Sequence, residues 1–145
     1  MIILDETERL YREPNYAGFA VRLAAYLIDL VVLALIRAAI SLLFAVPFMS
    51  TGWGVLWFGN LFGFLYFVFL EAGSSQATVG KQFMKIKVVD EYGQRITLSK
   101  SFIRSLSKIL SSLILLIGFL LIFFDDKRRG LHDMIARTFV VDQTQ

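Results

Sequence analysis

The sequence lacks charge over a long central stretch. Residues 38–70 contain no Asp, Glu, Lys, Arg or His, and the chain of 145 residues is 57% hydrophobic but only 19% charged. Soluble globular chains average about 45–50% and about 25%. A soluble domain of this size has no interior that could hold such a run, whereas one transmembrane helix needs about 20 apolar residues. The run indicates an integral membrane protein and excludes a soluble enzyme or a disordered tail.

Cysteine is also absent, and His132 is the single histidine. These absences exclude a disulfide scaffold, a thiolate metal site, a cysteine nucleophile and a zinc site with several histidines in one chain. The pair Gly80-Lys81 lacks the other residues of a phosphate-binding loop. We therefore expect no catalytic residue, no metal site and no cofactor, and so a protein that is not an enzyme.

A net charge of +3 does not point to nucleic acid, because the basic residues flank apolar segments. Such a distribution is typical of the positive-inside rule, by which lysine and arginine stay in cytoplasmic loops. The turn between the first two apolar segments contains neither residue. We expect a cytoplasmic N-terminus and no nucleic-acid partner.

Three apolar segments set the predicted fold, which is an all-α integral membrane protein. Residues 18–46 and 53–71 are predicted transmembrane helices, and residues 102–124 are a third membrane-embedded segment. The purely apolar part of the third segment, 113–124, measures only about 18 Å as a helix. It therefore either spans the membrane, with Arg104 and Lys108 reaching towards the surface, or is re-entrant.

Polar segments complete the domain organisation: a cytoplasmic lead over 1–15, a membrane domain over 16–141 and a tail over 142–145. Within the loop 73–98, apolar and polar residues alternate on both sides of the turn Asp90–Gly93, which predicts a small cytoplasmic β-hairpin. From Leu98 onwards the period becomes helical, with one apolar and one basic side, which is typical of an interfacial helix.

Charged residues within the first predicted span form one polar stripe. Arg22, Tyr26, Asp29 and Arg37 fall on one side of a helix. Each charge costs roughly 2.5–3.5 kcal/mol at the middle of a bilayer. The two arginines are long enough to reach the surface, but Asp29 is not. We expect Asp29 to be paired with Arg22, Arg37 or a group elsewhere.

The second predicted span carries a matching stripe of Asn60, Phe67 and Glu71, with Gly63 close by to permit tight helix packing. Asn60 is a candidate hydrogen-bond partner for Asp29 or Tyr26. Three interpretations of the facing stripes are open: interhelical hydrogen bonding, a cation or proton site at Asp29, and recognition of a partner helix or a lipid headgroup. The basic run Lys127, Arg128 and Arg129 either determines topology or binds anionic lipid.

Four stretches in order resemble the bacterial RDD family, which is named for one arginine and two aspartates. They are GFAVRLAAYLID at 18–29, QATVGK at 76–81, KVVD at 87–90 followed by Gly93, and RRGLHDMIART at 128–138. The resemblance implies that Arg22 and Asp29 are the first two signature residues. Asp133 is the candidate for the third, with Asp125 and Asp126 as alternatives. Ala77, which separates a usually contiguous Gln-Thr pair, and the Asp125-Asp126 pair depart from the family pattern.

The resemblance implies a multi-pass protein of the bacterial cytoplasmic membrane. We expect an accessory or regulatory subunit of a membrane complex; the alternative is a cation/proton antiporter, or a transport component, that uses Asp29. Two or three helices enclose little volume, so the expected partners are the lipid bilayer and either further copies of the chain or other membrane proteins.

Overall fold

The computed structural model describes residues 14–43, 53–113 and 120–143, with backbone alone at 53–58 and 111–113. The N-terminal lead before Pro14, the turn between the first two predicted spans and the last two residues of the tail lie outside the described residues. Its elements, in chain order, are α1 (Phe19–Leu43), α2 (Trp53–Ala72), α3 (Val79–Phe83), β1 (Ile86–Asp90), α4 (Leu98–Leu113), a 3-10 turn (Leu121–Phe123), α5 (Leu131–Ala136) and β2 (Thr138–Asp142).

Helices α1 and α2 correspond to the two predicted spans and form an antiparallel pair. Four levels of side-chain contact join them, each three or four residues apart along α1: Tyr26 with Phe67, Asp29 with Tyr66, Leu33 with Gly63, and Arg37 with Gly59. This spacing is that of one helical face. Within the described residues, α1 is long and apolar enough to cross a membrane, and the apolar helix Gly59–Ala72 within α2 is shorter.

The small sheet differs from the predicted hairpin. Strand β1 pairs antiparallel with the C-terminal strand β2, with Val88 opposite Val140. The turn at Asp90–Gly93 does form, with Gly93 at φ 74° and its amide bonded to the Asp90 carbonyl. The chain beyond this turn buries Ile96 in the core and then enters α4. The hairpin prediction was wrong because β2 offers a longer apolar match to β1.

The segment before α1 joins the same sheet. Tyr16 forms a bridge with Val141, and the Ala17 amide donates to the Val140 carbonyl at 2.9 Å. The sheet therefore gathers three distant parts of the chain: the start of α1, the loop after α2 and the C-terminal segment.

Helix α4 confirms the predicted amphipathic helix, with its polar side turned inward and its apolar side outward. The polar side is buried, with Ser101 and Arg104 at 0% and 2% exposure. Six apolar residues on the other side are each about half exposed: Leu98, Phe102, Ile103, Leu106, Ile109 and Leu110. A helix in contact with water has the opposite arrangement.

The third predicted segment, 102–124, is not described as one continuous helix. Helix α4 ends at Leu113, residues 114–119 lie outside the described part, and the 3-10 turn follows. The Phe123 ring packs against the Phe19 ring with centroids 5.0 Å apart. The chain has thus come back to the beginning of α1 by Phe123.

Candidate functional site

Asp29 is the centre of the first buried polar site. Its side chain is completely buried and accepts three hydrogen bonds from uncharged donors: the Tyr66 hydroxyl at 2.8 Å, the Thr78 hydroxyl at 2.5 Å and the Gly80 amide at 2.7 Å. Asn60, the partner predicted from the sequence, is exposed and makes none of these bonds. Asp29 therefore joins α1 to both α2 and α3 without an ion pair among the described residues.

Glycine at position 80 is required for this arrangement. A Cβ atom there would lie 2.0 Å from the Ala25 carbonyl oxygen and 2.9 Å from Cγ of Asp29. Neither distance is compatible with a side chain, so only glycine lets α3 approach α1 this closely. Thr78 also caps α3, because its hydroxyl accepts from the Lys81 amide. The Thr78–Lys81 stretch is thus a docking segment rather than a phosphate loop.

Arg22 does not pair with Asp29 but reaches across the sequence to Asp133. Its Nη1 bonds Asp133 Oδ2, its Nε donates to the Ala17 carbonyl at 3.0 Å, and its Nη2 donates to the Arg128 carbonyl at 2.6 Å. The sequence left the partner of Asp29 open between Arg22, Arg37 and a group elsewhere, and the donors to Asp29 are groups elsewhere. The guanidinium lies near the first turn of α1, where the C-terminal segment supplies all but one of its acceptors.

Glu71 and Asp133 are bridged by Arg104, which forms the centre of the second site. The Arg104 Nε donates to Asp133 Oδ1 at 2.7 Å, and its Nη1 bonds Glu71 Oε2. Glu71 Oε1 accepts from both Lys81 and Lys108, the latter at 3.1 Å. These contacts continue from Arg22 and form what we call the ionic network: Arg22, Glu71, Lys81, Arg104, Lys108 and Asp133.

The ionic network has four basic and two acidic members. Burial is the largest influence on Lys81 and, together with the neighbouring Arg104, lowers its pKa to about 7, although Glu71 acts in the opposite direction. The Lys108 ammonium also lies 4.7 Å from the Phe67 ring centroid, a cation–π contact. Two features thus reduce the repulsion among the basic groups: Lys81 releases its proton readily, and the Phe67 ring faces the Lys108 ammonium.

Asp133 is held as a carboxylate at the start of α5. Burial alone would raise its pKa, but the Arg104 and Arg22 guanidinium groups lower it by more, so the pKa lies well below its ordinary value. Its Oδ2 also accepts from the Gly130 amide at 3.2 Å. Burial lowers the pKa of the adjacent His132 to about 3, so that imidazole is neutral at neutral pH. Asp133 therefore caps α5 and connects it to α1 and α4.

The remaining predicted residues lie apart from these two sites. Arg37 packs against Gly59, where a Cβ atom would lie 3.0 Å from its Nη1. The side chains of Arg37 and of the exposed Asn60 make no hydrogen bond or ion pair with another residue that the structure describes. Tyr26 is 49% exposed and stacks on Phe67.

Some side chains of the basic run Lys127, Arg128 and Arg129 already have partners within the chain. Arg129 pairs with Asp125 at 2.8 Å, and the Arg128 Nη1 donates to the Tyr16 carbonyl at 3.2 Å. The side-chain hydrogen bond from Arg129 is the main cause that lowers the pKa of Asp125 to about 2. Lys127 lies 5.5 Å from the Phe139 ring centroid.

Sequence reasoning missed five side chains as site residues: Tyr66, Thr78, Lys81, Arg104 and Lys108. Four of them lie outside the first two predicted spans, where the polar stripes were sought. A usable signal existed for Arg104: it lies on the polar side of an amphipathic helix that adjoins an apolar segment. If that segment is membrane-embedded, the polar side must face protein.

The chain is similar to several bacterial proteins over part of its length. It is 43% identical over 77 residues to the uncharacterized protein YxaI of Bacillus subtilis, covering 53% of this chain and 50% of that protein. It is 37% identical over 94 residues to the proline-rich antigen of Mycobacterium leprae, covering 61% and 38%. The chain thus spans half or less of the length of these relatives.

No solved structure matches the chain. The RDD family model, in contrast, matches residues 16–137, which include both buried sites. In this structure Arg22 and Asp133, the expected first residue and the candidate third residue of the family signature, bind each other, while Asp29 holds the docking segment. The chain belongs to the RDD family.

Proposed function

We propose that the protein is a multi-pass protein of the bacterial cytoplasmic membrane and acts there as an accessory or regulatory subunit without catalytic activity. Exposed apolar residues support the membrane setting. On α1, Leu27, Val31 and Leu35 are 53%, 59% and 66% exposed, and α4 presents its apolar side outward. Polar groups inside and apolar groups outside suit a protein surrounded by lipid.

Sheet pairing supports a topology in which the third segment, 102–124, is re-entrant. The start of α1, β1 and β2 are bonded to one another, so they lie on one side of the membrane. A third crossing would place β2 on the side opposite β1. Lysine and arginine are concentrated in the segments on this common side and are absent from the turn between the first two spans. By the positive-inside rule this side is the cytoplasm, and the N-terminus is cytoplasmic.

Single cysteines test this topology, since the native chain has none. In intact cells, a membrane-impermeant maleimide should label a cysteine at Ser50 but not one at Ser75 or Gln143. Labelling at Gln143 together with protection at Ser75 would show that the third segment crosses.

The observation that carries the accessory role is a pair of polar side chains on α1 and α2, Arg37 and Asn60, that have no polar partner among the residues the structure describes. Arg37 lies beside Gly59, and exposed Asn60 follows Gly59 along α2. Gly59 is about 20 Å of helix rise from the end of α2. Polar groups at such a depth favour a polar partner on another helix, worth about 0.5–2 kcal/mol each. The partner helix belongs to another membrane protein or to a second copy.

A cysteine at Asn60 tests this interface by crosslinking in intact membranes. The matched control is a cysteine at Phe69, which is 59% exposed and lies about 180° around α2. We expect an adduct of defined mass from position 60 alone, and its mass distinguishes a second copy from another subunit. Equal crosslinking at both positions, or none at position 60, would contradict the proposal.

Asp29 supports a second candidate, transport of a cation in exchange for protons. A carboxylate with an arginine partner would hold its charge permanently. Asp29 instead has only uncharged donors, two of which are hydroxyl groups that could turn their oxygens towards a cation.

Flux measurements in liposomes test the second candidate. A sodium gradient should drive proton movement with the native chain and not with Asp29→Asn if Asp29 binds the ion. Absence of flux with the native chain would leave the accessory role as the better account. The crosslinking result at Asn60 is independent of this outcome.

A further inference from the structure

A groove lies between the end of α2 and the beginning of α4, apart from Asp29 and the ionic network. Its volume is about 470 Å³. One wall comes from α2 and the residue after it, and the other comes from the segment that enters α4. Its lining includes Phe69, Ala72, Gly73, Arg95, Thr97 and Leu98.

Arg95 supplies a positively charged group at the groove. Its Nε donates to the Ala72 carbonyl at 2.6 Å, which fixes the guanidinium at the end of α2. The side chain is exposed, and its Nη1 and Nη2 have no acceptor among the residues that the structure describes. A fixed guanidinium with two free nitrogen donors matches the oxygens of a phosphate.

The beginning of α4 adds further donors. Thr97 caps this 16-residue helix, since its hydroxyl accepts from the Lys100 amide at 3.3 Å. The amides of Leu98 and Ser99 have no acceptor in the described ranges. Unpaired amides and the positive end of the helix dipole both favour an anion.

The groove walls next to these donors are apolar. Phe69 and Leu98 are 59% and 52% exposed, and Phe102 continues the apolar side of α4. Glu71 is the first charged residue after the uncharged run 38–70, so this end of α2 lies where apolar gives way to polar sequence. The surface therefore combines anion donors with a place for hydrocarbon chains.

We propose that the groove binds the phosphate group of an anionic phospholipid of the cytoplasmic leaflet. The phosphate lies between the Arg95 guanidinium and the first amides of α4, and the acyl chains lie along Phe69 and Leu98. This site rests on the proposed membrane setting. It differs from the lipid site that was one of two alternatives for Lys127, Arg128 and Arg129, where Arg129 is already paired with Asp125.

Thermal unfolding of the purified chain in a neutral detergent tests the site with defined probes. Dioctanoyl phosphatidylglycerol should stabilise the protein in a saturable manner. Dioctanoylglycerol, which lacks the phosphate, and inorganic phosphate, which lacks the chains, should not do so at equal concentration. Arg95→Gln should weaken phosphatidylglycerol binding about tenfold, whereas Arg137→Gln, an equal change of charge at an exposed position outside the groove, should leave it unchanged.

Thr97→Glu provides a second variant that leaves the bond from Arg95 to Ala72 in place. It should also abolish the lipid effect, because its carboxylate would repel the phosphate. Equal lipid affinity of Arg95→Gln and Arg137→Gln would overturn the proposal. Stabilisation by inorganic phosphate alone as large as that by phosphatidylglycerol would overturn the lipid as the ligand. Crosslinking at Asn60 does not depend on Arg95, so the two proposals fail separately.

Discussion

The two buried acidic sites satisfy their carboxylates in different ways. Among the described residues, Asp29 accepts hydrogen bonds only from uncharged groups, on α2 and on the docking segment Thr78–Lys81. Glu71 and Asp133 accept from guanidinium and ammonium groups on α1, α3 and α4. One site depends on how closely two backbones approach, and the other depends on matching charges.

This difference determines what each site tolerates. Removing one donor at Asp29 leaves two others and creates no unpaired cation. Removing Arg104 takes a partner from Glu71 and from Asp133 together, both fully buried. A hydrogen bond between two charged groups contributes about 1.5–3 kcal/mol, and Arg104 makes two of them, whereas each neutral donor at Asp29 contributes a single bond. The ionic network should therefore be the more sensitive of the two.

Arg104→Met is expected to have the largest effect. It removes one charge-assisted hydrogen bond from each of two buried carboxylates, although Glu71 keeps its lysines and Asp133 keeps Arg22, and should lower the free energy of unfolding in detergent by about 3–5 kcal/mol. Arg104→Lys should recover only part, because an ammonium cannot bridge both carboxylates as the planar group does. Arg137→Met, at an exposed position, should change stability by less than about 0.5 kcal/mol. Comparable stability of the two methionine variants would show that the network contributes nothing.

Gly80→Ala tests the other site through its steric requirement. The new methyl would lie 2.0 Å from the Ala25 carbonyl oxygen, so α3 must move away from α1 and release Asp29. We expect a loss of about 1–3 kcal/mol in the free energy of unfolding. Gly63→Ala is the matched control, since its methyl would meet Leu33 at an ordinary 3.8 Å. Equal thermal stability of the two variants would contradict the close approach at Gly80.

Local patterns predicted α1, α2, α4 and the Asp90 turn because each depends on residues near in sequence. The sheet could not be predicted in the same way. β1 and β2 are separated by the whole of α4 and the segment after it, and no pattern in the chain states which strand pairs with which. The nearer candidate, around Ile96, has the right alternation but is buried without entering the sheet.

The candidate site was predicted only in part for a related reason. Helical spacing placed Arg22 and Asp29 on one face, and proximity along α1 suggested a pair. Asp133 lies 111 residues from Arg22, so nothing in the local pattern could reveal that contact. The resemblance to the RDD family gave Asp133 as the candidate for the third signature residue, with Asp125 and Asp126 as alternatives, but it carried no information about its partner.

A double-mutant cycle separates the two pairings of Arg22. Arg22→Met and Asp133→Asn should be coupled by about 1–3 kcal/mol in thermal or chemical unfolding, because the two side chains are in contact. Arg22→Met and Asp29→Asn should be additive within about 0.5 kcal/mol, since they share no partner. Strong coupling in the second cycle would restore the pairing within α1 and remove the contrast between the two sites.

The pH dependence of stability offers the smallest expected effect and concerns Lys81, which lies next to the Asp29 site in sequence but belongs to the ionic network. Burial and the nearby Arg104 lower its pKa to about 7, from 10.5 for the ordinary side chain. Between these values the unfolded chain binds a proton that the folded chain lacks, so stability should rise as pH increases above about 7. One proton limits the slope to about 1.4 kcal/mol per pH unit.

Unfolding in detergent between pH 7 and pH 9 measures this slope. Lys81→Met should flatten the slope, because it removes the group that titrates. The variant should still fold, since Glu71 keeps Arg104 and Lys108 as partners. Lys85→Met, at an exposed position four residues later, should keep the native slope. If Lys81→Met and the native chain change equally with pH, Lys81 stays protonated beside Glu71. The ionic network would then hold its full excess of positive charge, and the two acidic sites would differ even more.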